Sequence, residues 1–318
     1  MSHTPYSLRG KRVFVAGHNG MVGRALLARL EPENCEVLTI DRAALDLREG
    51  HRTRQWFRDA RPDAVIMAAA TVGGIHANAT RPADFLFDNL AMGASVIHAA
   101  HKQGVEKLLY LGSSCIYPRE AAQPIAESAL LTGPLEPTNA PYAVAKIAGL
   151  KLVEALRAQH GHDFVSAMPT NLYGPWDNFH PANSHVIPGL LRRAHDRKLA
   201  GLRDLPIWGT GTPRREFLHV RDCADALVAV LKSYSAPAPI NIGTGEDIAI
   251  RDLARLVMHT VALSGDIRPD PDQPDGTPLK RLDTSRLQAL GWRPSIGLAD
   301  GLASTYAWFR NNYNRARR

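Results

Sequence analysis

The stretch "RVFVAGHNGMVG", residues 12–23, places a short apolar run directly before three regularly spaced glycines. The apolar run predicts a buried strand, and the residues after the glycines predict a helix. Glycines in such a turn let the backbone approach a pyrophosphate, whose negative charge is stabilised by the N-terminus of the helix. The sequence therefore predicts a dinucleotide site at this turn. Its residues are Gly17, His18, Asn19, Gly20, Met21, Val22 and Gly23.

The same alternation of strand and helix continues through the first half of the chain. Further strands are predicted at 36–40, 63–70, 107–114 and 163–170, with helices at 21–31, 50–60, 83–104 and 142–160. Alternation at this spacing requires right-handed crossovers between parallel strands. The predicted fold class is therefore α/β, with a Rossmann-type, doubly wound parallel sheet.

The second half of the chain differs in composition and lacks the regular alternation of strand and helix. Residues 171–188 are rich in Pro and Asn and predict a loop, as does the polar stretch 268–281. Between and after these loops we expect a strand around "LPIWG" (205–209) and helices at 186–198, 250–263 and 299–311. These elements predict a second, smaller mixed α/β substrate lobe that closes over the carboxyl ends of the strands, where ligands of such sheets bind.

The expected domain boundaries follow from this change in composition and pattern. Residues 1–170 form a dinucleotide-binding domain, to which 216–245 returns, and residues 171–215 and 246–318 form the substrate lobe.

Composition restricts the function classes. The chain has 318 residues, of which 45% are hydrophobic and 22% charged, as in an ordinary globular protein. We expect neither a signal peptide nor a membrane span, because no apolar run is long enough. Cys35, Cys115 and Cys223 are the three cysteines and form no CxxC pair. This pattern argues against a disulfide framework or a metal site and favours a reducing cytoplasm.

The net charge of +7 does not indicate a nucleic-acid partner. The basic residues are spread along the chain, and no RNA- or DNA-binding signature interleaves them with aromatics. An anionic small substrate explains clusters such as Arg192–Arg193 and Arg214–Arg215 equally well. The other histidines, including His98, His101 and His180, have no metal-ligand spacing, and we expect structural roles for them.

A candidate proton donor lies in "PYAVAK", residues 141–146. Tyr142 and Lys146 are four residues apart and therefore lie on one face of the predicted helix. A lysine there can hold a nicotinamide ribose and make the phenol ready to exchange a proton with a carbonyl or alcohol. Ser113 and Ser114 precede this pair by about thirty residues, at the end of a predicted strand.

Together, the glycine turn, the serine-bearing strand end and the Tyr–Lys helix resemble those of extended short-chain dehydrogenase/reductases. Within that superfamily the chain closely resembles the GDP-L-fucose synthase family, from the first strand to beyond residue 278. The resemblance rests on "AAATVGGIHAN" (68–78), "GSSCIYP" (112–118), "EPTNAPYAVAKIAG" (136–149), "MPTNLYGPWDNFHPANSHVIP" (168–188), "REFLHV" (215–220) and "PDGTP" (274–278).

The resemblance implies a bifunctional, NADP-dependent epimerase and oxidoreductase acting on a GDP-sugar. That family inverts C3 and C5 of GDP-4-keto-6-deoxy-D-mannose through enolates and then reduces C4 with a nicotinamide hydride. Carried over position by position, Tyr142 is the proton donor of the reduction, Lys146 its ribose-bound partner, and Ser113 a hydrogen-bond donor to the keto oxygen. Cys115 and His185 occupy the positions of the two epimerising acid/base groups.

A lone cysteine is more often a packing residue than a reactive one, and a structural role is the alternative for His185 as well. Related sugar-nucleotide dehydratases carry a carboxylate near the position of Cys115. The cysteine therefore favours an epimerase/reductase over a dehydratase.

The resemblance also implies contacts to both ligands. Around the nicotinamide it places Leu111, Gly112, Ser113, Ser114, Pro169, Thr170, Asn171 and Leu172, together with Lys146 and His185. For the GDP-sugar it implies Arg193, Trp208, Arg215, Asp275 and Lys280. The alternative for these five is a surface charge or a core aromatic.

Two departures concern the cofactor. Many members of the family have an arginine where Asn19 stands, and one at or beside Asp41. Arginines there suit the 2′-phosphate of NADP, whereas an acid at the end of the second strand usually binds the free ribose hydroxyls of NAD. Arg42 could still reach a phosphate. We expect NADPH to be the reductant, with NAD as the alternative.

Two alternative functions remain, and we also expect the chain to form a homodimer. The chain could act on a related GDP-deoxysugar such as a GDP-deoxyheptose, or could be a non-catalytic nucleotide-sensing protein. Intact Ser113, Tyr142 and Lys146 argue against the latter. A homodimer is expected through helices 83–104 and 142–160, as in the resembled superfamily. Their small residues are Ala91, Gly93, Ala94 and Ala99, and Ala143, Ala145, Ala148 and Gly149.

Overall fold

A computed structural model describes residues 5–272, 275–314 and 316. Within these residues the strands are β1 (Arg12–Ala16), β2 (Glu36–Leu38), β3 (Ala64–Met67), β4 (Lys107–Leu111), β5 (Asp163–Pro169), β6 (Asn171–Tyr173), β7 (Asp204–Trp208), β8 (Arg214–Arg215), β9 (Phe217–His219), β10 (Ile240–Ile242), β11 (Ile248–Ala249), β12 (Asp266–Asp270) and β13 (Leu279–Lys280). The α-helices are α1 (Met21–Leu30), α2 (Gly50–Ala60), α3 (Ile75–Thr80), α4 (Pro82–Gln103), α5 (Ala140–His160), α6 (Val186–Leu199), α7 (Val220–Ser233), α8 (Ile250–Val261), α9 (Ser285–Ala289) and α10 (Leu298–Asn311).

Six strands form one parallel sheet in the order β10–β5–β4–β3–β1–β2. β2 lies at one edge of the sheet beside β1. The chain then crosses to the other side of β1, where β3, β4, β5 and β10 follow one another toward the opposite edge. Because the strand order reverses between β1 and β3, a crevice opens there at the carboxyl ends of the strands, where ligands of doubly wound sheets bind. The predicted α/β fold with a doubly wound parallel sheet is confirmed.

The sheet is buried on both faces by helices. Val13 and Val15 of β1 belong to the apolar cluster beneath α1 and α7. Phe14 and Ala16 belong to the opposite cluster, beneath α2, α4 and α5. This alternation is the period of two that a strand imposes on its side chains, and burial on both faces explains why the strands read as continuous apolar runs.

A third apolar cluster lies outside the central sheet. It joins α6, α8 and α10, with Leu191, Val257 and Phe309 fully buried at its centre. Small sheets surround it, formed by β12 with β7 and by β11, β8 and β13. The segment 216–245 contributes β10 to the central sheet beside β5. The proposed domain boundaries themselves stay a prediction.

Two predicted loops contain strands, which corrects the sequence interpretation. Within 171–188, β6 pairs in parallel with β9. Within 268–281, β13 pairs with β8, and β12 begins just before this stretch and pairs with β7. The residues of β12 are mostly exposed. Such short, solvated strands need no apolar alternation, so the sequence pattern gives no signal for them.

The small residues predicted to form a dimer surface are mostly turned inward. A Cβ on Gly93 would contact the Tyr110 side chain, and one on Gly149 would collide with its hydroxyl. Ala99, Ala143 and Ala145 are buried. These residues therefore let α4 and α5 lie close to their own sheet. None of the helices in the described part of the chain combines the length and the apolar character needed to cross a bilayer.

Four histidines gather where α4 and α5 end. His98 and His101 lie on α4, His160 ends α5, and His162 follows it. Nδ1 of His101 lies 2.6 Å from Nε2 of His162, so one ring nitrogen must donate and the other accept. Burial, followed by repulsion from His160, lowers the pKa of both His101 and His162, and Lys102 adds to the effect on His101.

We expect acid to destabilise the fold through this cluster. Because the lowered pKa keeps His101 and His162 neutral in the folded chain, the unfolded chain takes up protons first as the pH falls below about 6.5. The free energy of unfolding should therefore decrease until the folded-state pKa values are passed. Urea unfolding at about pH 7.5 and about pH 5.5 measures this decrease. It should be smaller in His162→Asn than in the wild type, and an equal decrease would contradict the prediction.

Candidate active site

The turn between β1 and α1 has no room for side chains at two of its glycines. Gly17 adopts φ +88°, and a Cβ there would lie 2.7 Å from the backbone of Ala69. A Cβ on Gly23 would collide with the carbonyl oxygen of Gly17. The turn is therefore closed against the end of β3, with the first turn of α1 at the crevice. This backbone cradle fits the pyrophosphate of a dinucleotide.

The carboxylate that follows β2 is drawn toward this turn. Nδ2 of Asn19 donates to Oδ1 of Asp41 over 2.6 Å, and Nε2 of His18 lies 3.3 Å from the same oxygen. Arg42 instead approaches Asp46, at 3.6 Å, and its side chain is 71% exposed. Of the two residues predicted here for the adenosine ribose, Asp41 contacts the turn and Arg42 points away from it.

The remaining residues predicted around the nicotinamide lie where β4 and β5 end. They are Leu111, Gly112, Ser113 and Ser114 after β4, and Pro169, Thr170, Asn171 and Leu172 after β5. Because β4 and β5 pair in parallel, their carboxyl ends meet at one edge of the sheet. A Cβ on Gly112 would collide with the sulfur of Met168, so the backbone here also requires glycine for lack of space.

Ser113, Cys115 and Tyr142 meet at the end of β4. Oγ of Ser113 accepts a hydrogen bond from the backbone N–H of Cys115 over 3.2 Å. Burial, assisted by the nearby Cys115, raises the pKa of Tyr142, whereas the neighbouring hydroxyl of Ser113 opposes this shift. The phenol is therefore held protonated, with Ser113 beside it, as a proton donor requires.

Lys146 lies one helical turn beyond Tyr142 on α5. Its Nζ donates to the carbonyl oxygen of Leu111 over 2.8 Å and lies 5.1 Å and 5.9 Å from the ring centroids of Tyr110 and Tyr142. Burial lowers the pKa of Lys146 to about 8. The ammonium therefore remains mostly charged at neutral pH, and it is the positive charge that a phenolate at Tyr142 would need.

A contact that the sequence did not predict joins Cys115 to Lys280. Nζ of Lys280 lies 3.8 Å from Sγ of Cys115. Lys280 belongs to β13, where it pairs with Arg215 of β8. Two cations predicted for the GDP-sugar are therefore neighbours, and one of them reaches the thiol.

His185 comes from a different element and lies at the N-terminus of α6. Its side chain is open to solvent, yet protein atoms surround it closely enough that desolvation lowers its pKa. The imidazole is therefore neutral at pH 7 and can accept a proton. Within the described residues, hydrogen bonds link Ser113 to Cys115 and Cys115 to Lys280, but they do not extend to the side chain of His185.

Three other residues predicted for the GDP-sugar gather around β7. Nη1 of Arg193 donates to the carbonyl oxygen of Pro206 over 2.6 Å, and Trp208 ends the strand with 46% of its surface exposed. Asp275 accepts from the backbone N–H of Thr210, at 2.7 Å, and from its hydroxyl. The Asp275 carboxylate thus holds the turn after β7. Gly276, the residue after Asp275, lies against the guanidinium of Arg215, since a Cβ there would be 3.3 Å from Nη2. Asp275 therefore connects this group to Arg215 and Lys280 on the neighbouring small sheet.

Known proteins resemble this chain over nearly its whole length. A model of the NAD dependent epimerase/dehydratase family matches residues 13–243, which include the glycine turn and the Tyr142–Lys146 pair. The chain belongs to this family.

The similarity to individual members of the family is specific. The chain is 56% identical to the GDP-L-fucose synthase of Sinorhizobium fredii, over 96% of this chain and 98% of that protein. A GDP-L-fucose synthetase from Naegleria fowleri bound to NADP superposes with a TM-score of 0.90 at 27% identity, covering 100% of this chain and 99% of that one. A GDP-6-OMe-4-keto-L-xylo-heptose reductase from C. jejuni has a TM-score of 0.88 at 30% identity, covering 95% and 98%. The resemblance to the GDP-L-fucose synthase family is confirmed.

One supporting residue of the site was missed from the sequence. Glu216 is completely buried, and its carboxylate accepts from the backbone N–H groups of Gly245 and Leu282, each at 2.8 Å. Burial raises the pKa of Glu216, and these backbone hydrogen bonds oppose the shift. The available signal was an acid within "REFLHV", because a charge flanked by strand residues is almost never buried without a partner.

We expect Glu216→Gln to destabilise the fold. The amide has only one oxygen, so the N–H of either Gly245 or Leu282 would face an NH₂ group and lose its acceptor. An unsatisfied buried donor costs about 1–3 kcal/mol in the free energy of unfolding, which urea denaturation measures. Thr244→Val removes the weaker 3.4 Å contact to the same carboxylate, together with two exposed contacts to the Glu246 backbone, and should cost less. Equal losses in the two variants would contradict this assignment.

Proposed function

We propose that the protein epimerises GDP-4-keto-6-deoxy-D-mannose at C3 and C5 and reduces C4 with NADPH, giving GDP-L-fucose. The observation that carries the proposal is the position of Cys115: its backbone bonds Ser113, it lies near Tyr142, and its thiol is 3.8 Å from Nζ of Lys280. A simple reductase needs no thiol at this position. The 56% identity to the Sinorhizobium fredii enzyme supports the same sugar.

The reduction uses the groups at the end of β4. A bound nicotinamide supplies the hydride. Tyr142 donates a proton to the C4 oxygen, and the neighbouring hydroxyl of Ser113 holds that oxygen by a hydrogen bond. The Lys146 ammonium stabilises the phenolate left behind, because its charge lies at the tyrosine ring in a buried site.

The epimerisation uses Cys115 and His185. The C4 ketone acidifies the hydrogens on C3 and C5, so each inversion needs one group to remove a proton and a second, on the opposite face, to return one. A thiol and an imidazole both exchange protons near neutral pH. The lowered pKa of His185 leaves it neutral and able to take part at pH 7.

The GDP portion is held by the predicted substrate residues. Arg215 and Lys280, next to Cys115, suit the diphosphate near the sugar. Arg193, Trp208 and Asp275, gathered around β7, suit the guanosine end. The predicted cytoplasmic location rests on three cysteines, all unpaired.

The direct test supplies GDP-4-keto-6-deoxymannose with NADPH, follows the nicotinamide absorbance, and identifies the product by NMR. We expect consumption of NADPH and formation of GDP-L-fucose. The similarity to the C. jejuni heptose reductase makes a GDP-4-keto-heptose the matched alternative. Turnover of the heptose alone would favour that reading, and no turnover of either sugar would favour a nucleotide-sensing protein.

Replacing the thiol should separate the two halves of the reaction. In Cys115→Ser the hydroxyl is too weakly acidic to exchange protons near neutral pH, so solvent deuterium should enter C3 and C5 about two orders of magnitude more slowly. Direct C4 reduction should survive. Cys35→Ser is the matched control, since Cys35 directly precedes β2, where its thiol packs against the core beneath α1 and bonds the carbonyl of Leu30. If solvent deuterium enters C3 and C5 of the sugar at the wild-type rate in Cys115→Ser, Cys115 is a packing residue and takes no part in the epimerisation.

The converse variant tests the reduction. Tyr142→Phe removes the proton donor but leaves Cys115 and His185 in place. We expect C4 reduction to fall by about two to four orders of magnitude, with deuterium exchange retained. Loss of exchange together with reduction would show that the variant disturbs the whole site.

The protein is proposed to be a homodimer through α4 and α5. Phe87 and Leu90 of α4 and Val144 of α5 are 64%, 42% and 48% exposed. The two helices pack on each other, so these apolar side chains belong to one helical layer. A second copy of the same layer would bury them in a four-helix arrangement, which removes apolar surface from water.

Light scattering with size-exclusion chromatography tests the assembly. We expect the wild type to be dimeric at micromolar concentration and Val144→Glu to be monomeric, because a buried unpaired carboxylate would disrupt the interface. Leu199→Glu is the control, because Leu199 is 68% exposed on α6, outside these helices. A monomeric wild type would contradict the proposal.

A further inference from the structure

One arginine outside the predicted site folds back over the glycine turn. Arg24 lies in the first turn of α1. Its Nε donates to the backbone carbonyl of Asn19 over 3.1 Å, and its Nη2 to the side-chain oxygen of Asn19 over 3.4 Å. Within the described residues its third nitrogen, Nη1, has no hydrogen-bond partner. A charged group with free N–H donors is thus fixed at the turn.

An aromatic ring from the second half of the chain holds this guanidinium. The Arg24 carbon Cζ lies 3.9 Å from the ring centroid of Trp176, a cation–π contact. Trp176 has φ +71°, a left-handed conformation that a tryptophan rarely adopts, and its ring packs on Trp308 with centroids 5.0 Å apart. The ring covers one face of the guanidinium and leaves the N–H edge available.

The location of Arg24 indicates which part of a bound dinucleotide its free N–H groups would contact. Asn19, which Arg24 contacts, in turn bonds the carboxylate of Asp41 after β2. In a doubly wound sheet the adenosine ribose of a dinucleotide lies between the glycine turn and the end of the second strand. Arg42, the other cation there, pairs with Asp46 and points into solvent. Arg24 is therefore the cation already fixed at the ribose position.

We propose that Arg24 recognises the 2′-phosphate of NADP and thereby determines the preference for NADPH over NADH. Asn19 and Trp176 fix its guanidinium, so little side-chain entropy is lost when the phosphate binds. The positive charge also offsets repulsion between the phosphate and Asp41, which accepts a hydrogen bond from Asn19 and lies 3.3 Å from Nε2 of His18. This inference rests on the proposed use of NADPH.

Calorimetry with two adenosine probes separates the phosphate contact from catalysis. We expect the wild type to bind adenosine 2′,5′-bisphosphate more tightly than adenosine 5′-monophosphate. Arg24→Gln should weaken binding of the bisphosphate about ten- to a hundredfold, the range for a charge-assisted hydrogen bond, and leave the monophosphate within about twofold. Arg9→Gln is the control with the same change in net charge, because Arg9 is exposed and precedes β1, at the opposite edge of the sheet.

The outcomes distinguish this proposal from the proposed function. If the wild type shows no preference for the bisphosphate, both NADPH use and the role of Arg24 are overturned. If the wild type prefers the bisphosphate and Arg24→Gln keeps this preference, only the role of Arg24 is overturned. If Arg42→Ala then loses the preference, Arg42 is the residue that binds the 2′-phosphate. Turnover of the keto-sugar with saturating NADH should persist in Arg24→Gln, so a failure of the sugar chemistry is scored separately.

The tryptophan gives an independent check. Trp176→Ala should lose part of the preference for the bisphosphate, because the guanidinium is no longer held, whereas Trp176→Phe should retain most of it. The ratio of the two affinities is the readout, since a merely structural effect would weaken both probes equally. Equal weakening of both probes in Trp176→Ala would overturn the part assigned to the ring.

Discussion

The hydrogen bond from the Lys146 ammonium to the carbonyl oxygen of Leu111 joins the two elements on which the site depends. It fixes α5 against the carboxyl end of β4, and so brings Tyr142 to Ser113. A buried ammonium that lost this acceptor would cost several kcal/mol, so α5 cannot shift along the sheet without a large penalty. The charge that aligns the helix is also the charge that stabilises a phenolate at Tyr142. Position and reactivity therefore come from one buried group.

Glu216 has the corresponding role for the second half of the chain. Its two carboxylate oxygens bind the backbone at Gly245 and at Leu282, which are distant in sequence. Leu282 follows β13 closely, so the same carboxylate fixes the strand that carries Lys280. The backbone N–H of Glu216 also donates to the carbonyl oxygen of Lys280 over 3.2 Å, so the contact between Lys280 and Cys115 depends on this residue. A Cβ on Gly243 would collide with Glu216, which shows how closely the backbone surrounds this carboxylate.

The parts of the fold that the sequence predicted are those determined locally. The strands β1, β3, β4 and β5 are buried on both faces and appear as apolar runs. β2 lies at the edge of the sheet, is only partly buried and is shorter than predicted. The Tyr142–Lys146 pair follows from helical spacing alone. By contrast, β12 and β13 exist through pairing with distant partners, and Lys280 reaches Cys115 across 165 residues. No local pattern contains such information, which is why the contact between Cys115 and Lys280 was not predicted although each residue was a candidate from the sequence.

The two halves of the proposed reaction differ in how they are held. The reducing groups belong to β4 and α5, which share one buried core, whereas His185 follows the loop 174–184 and faces solvent. That loop is attached at both ends. Near His185, the backbone carbonyl of Asn183 accepts from the N–H of Gly74 over 3.1 Å, and near its start Trp176 stacks on Arg24. Since Arg24 also bonds the glycine turn, the loop that precedes His185, the proposed epimerising histidine, is anchored on the predicted dinucleotide site. The relative position of Cys115 and His185 is therefore determined by this loop and its two attachments rather than by the sheet.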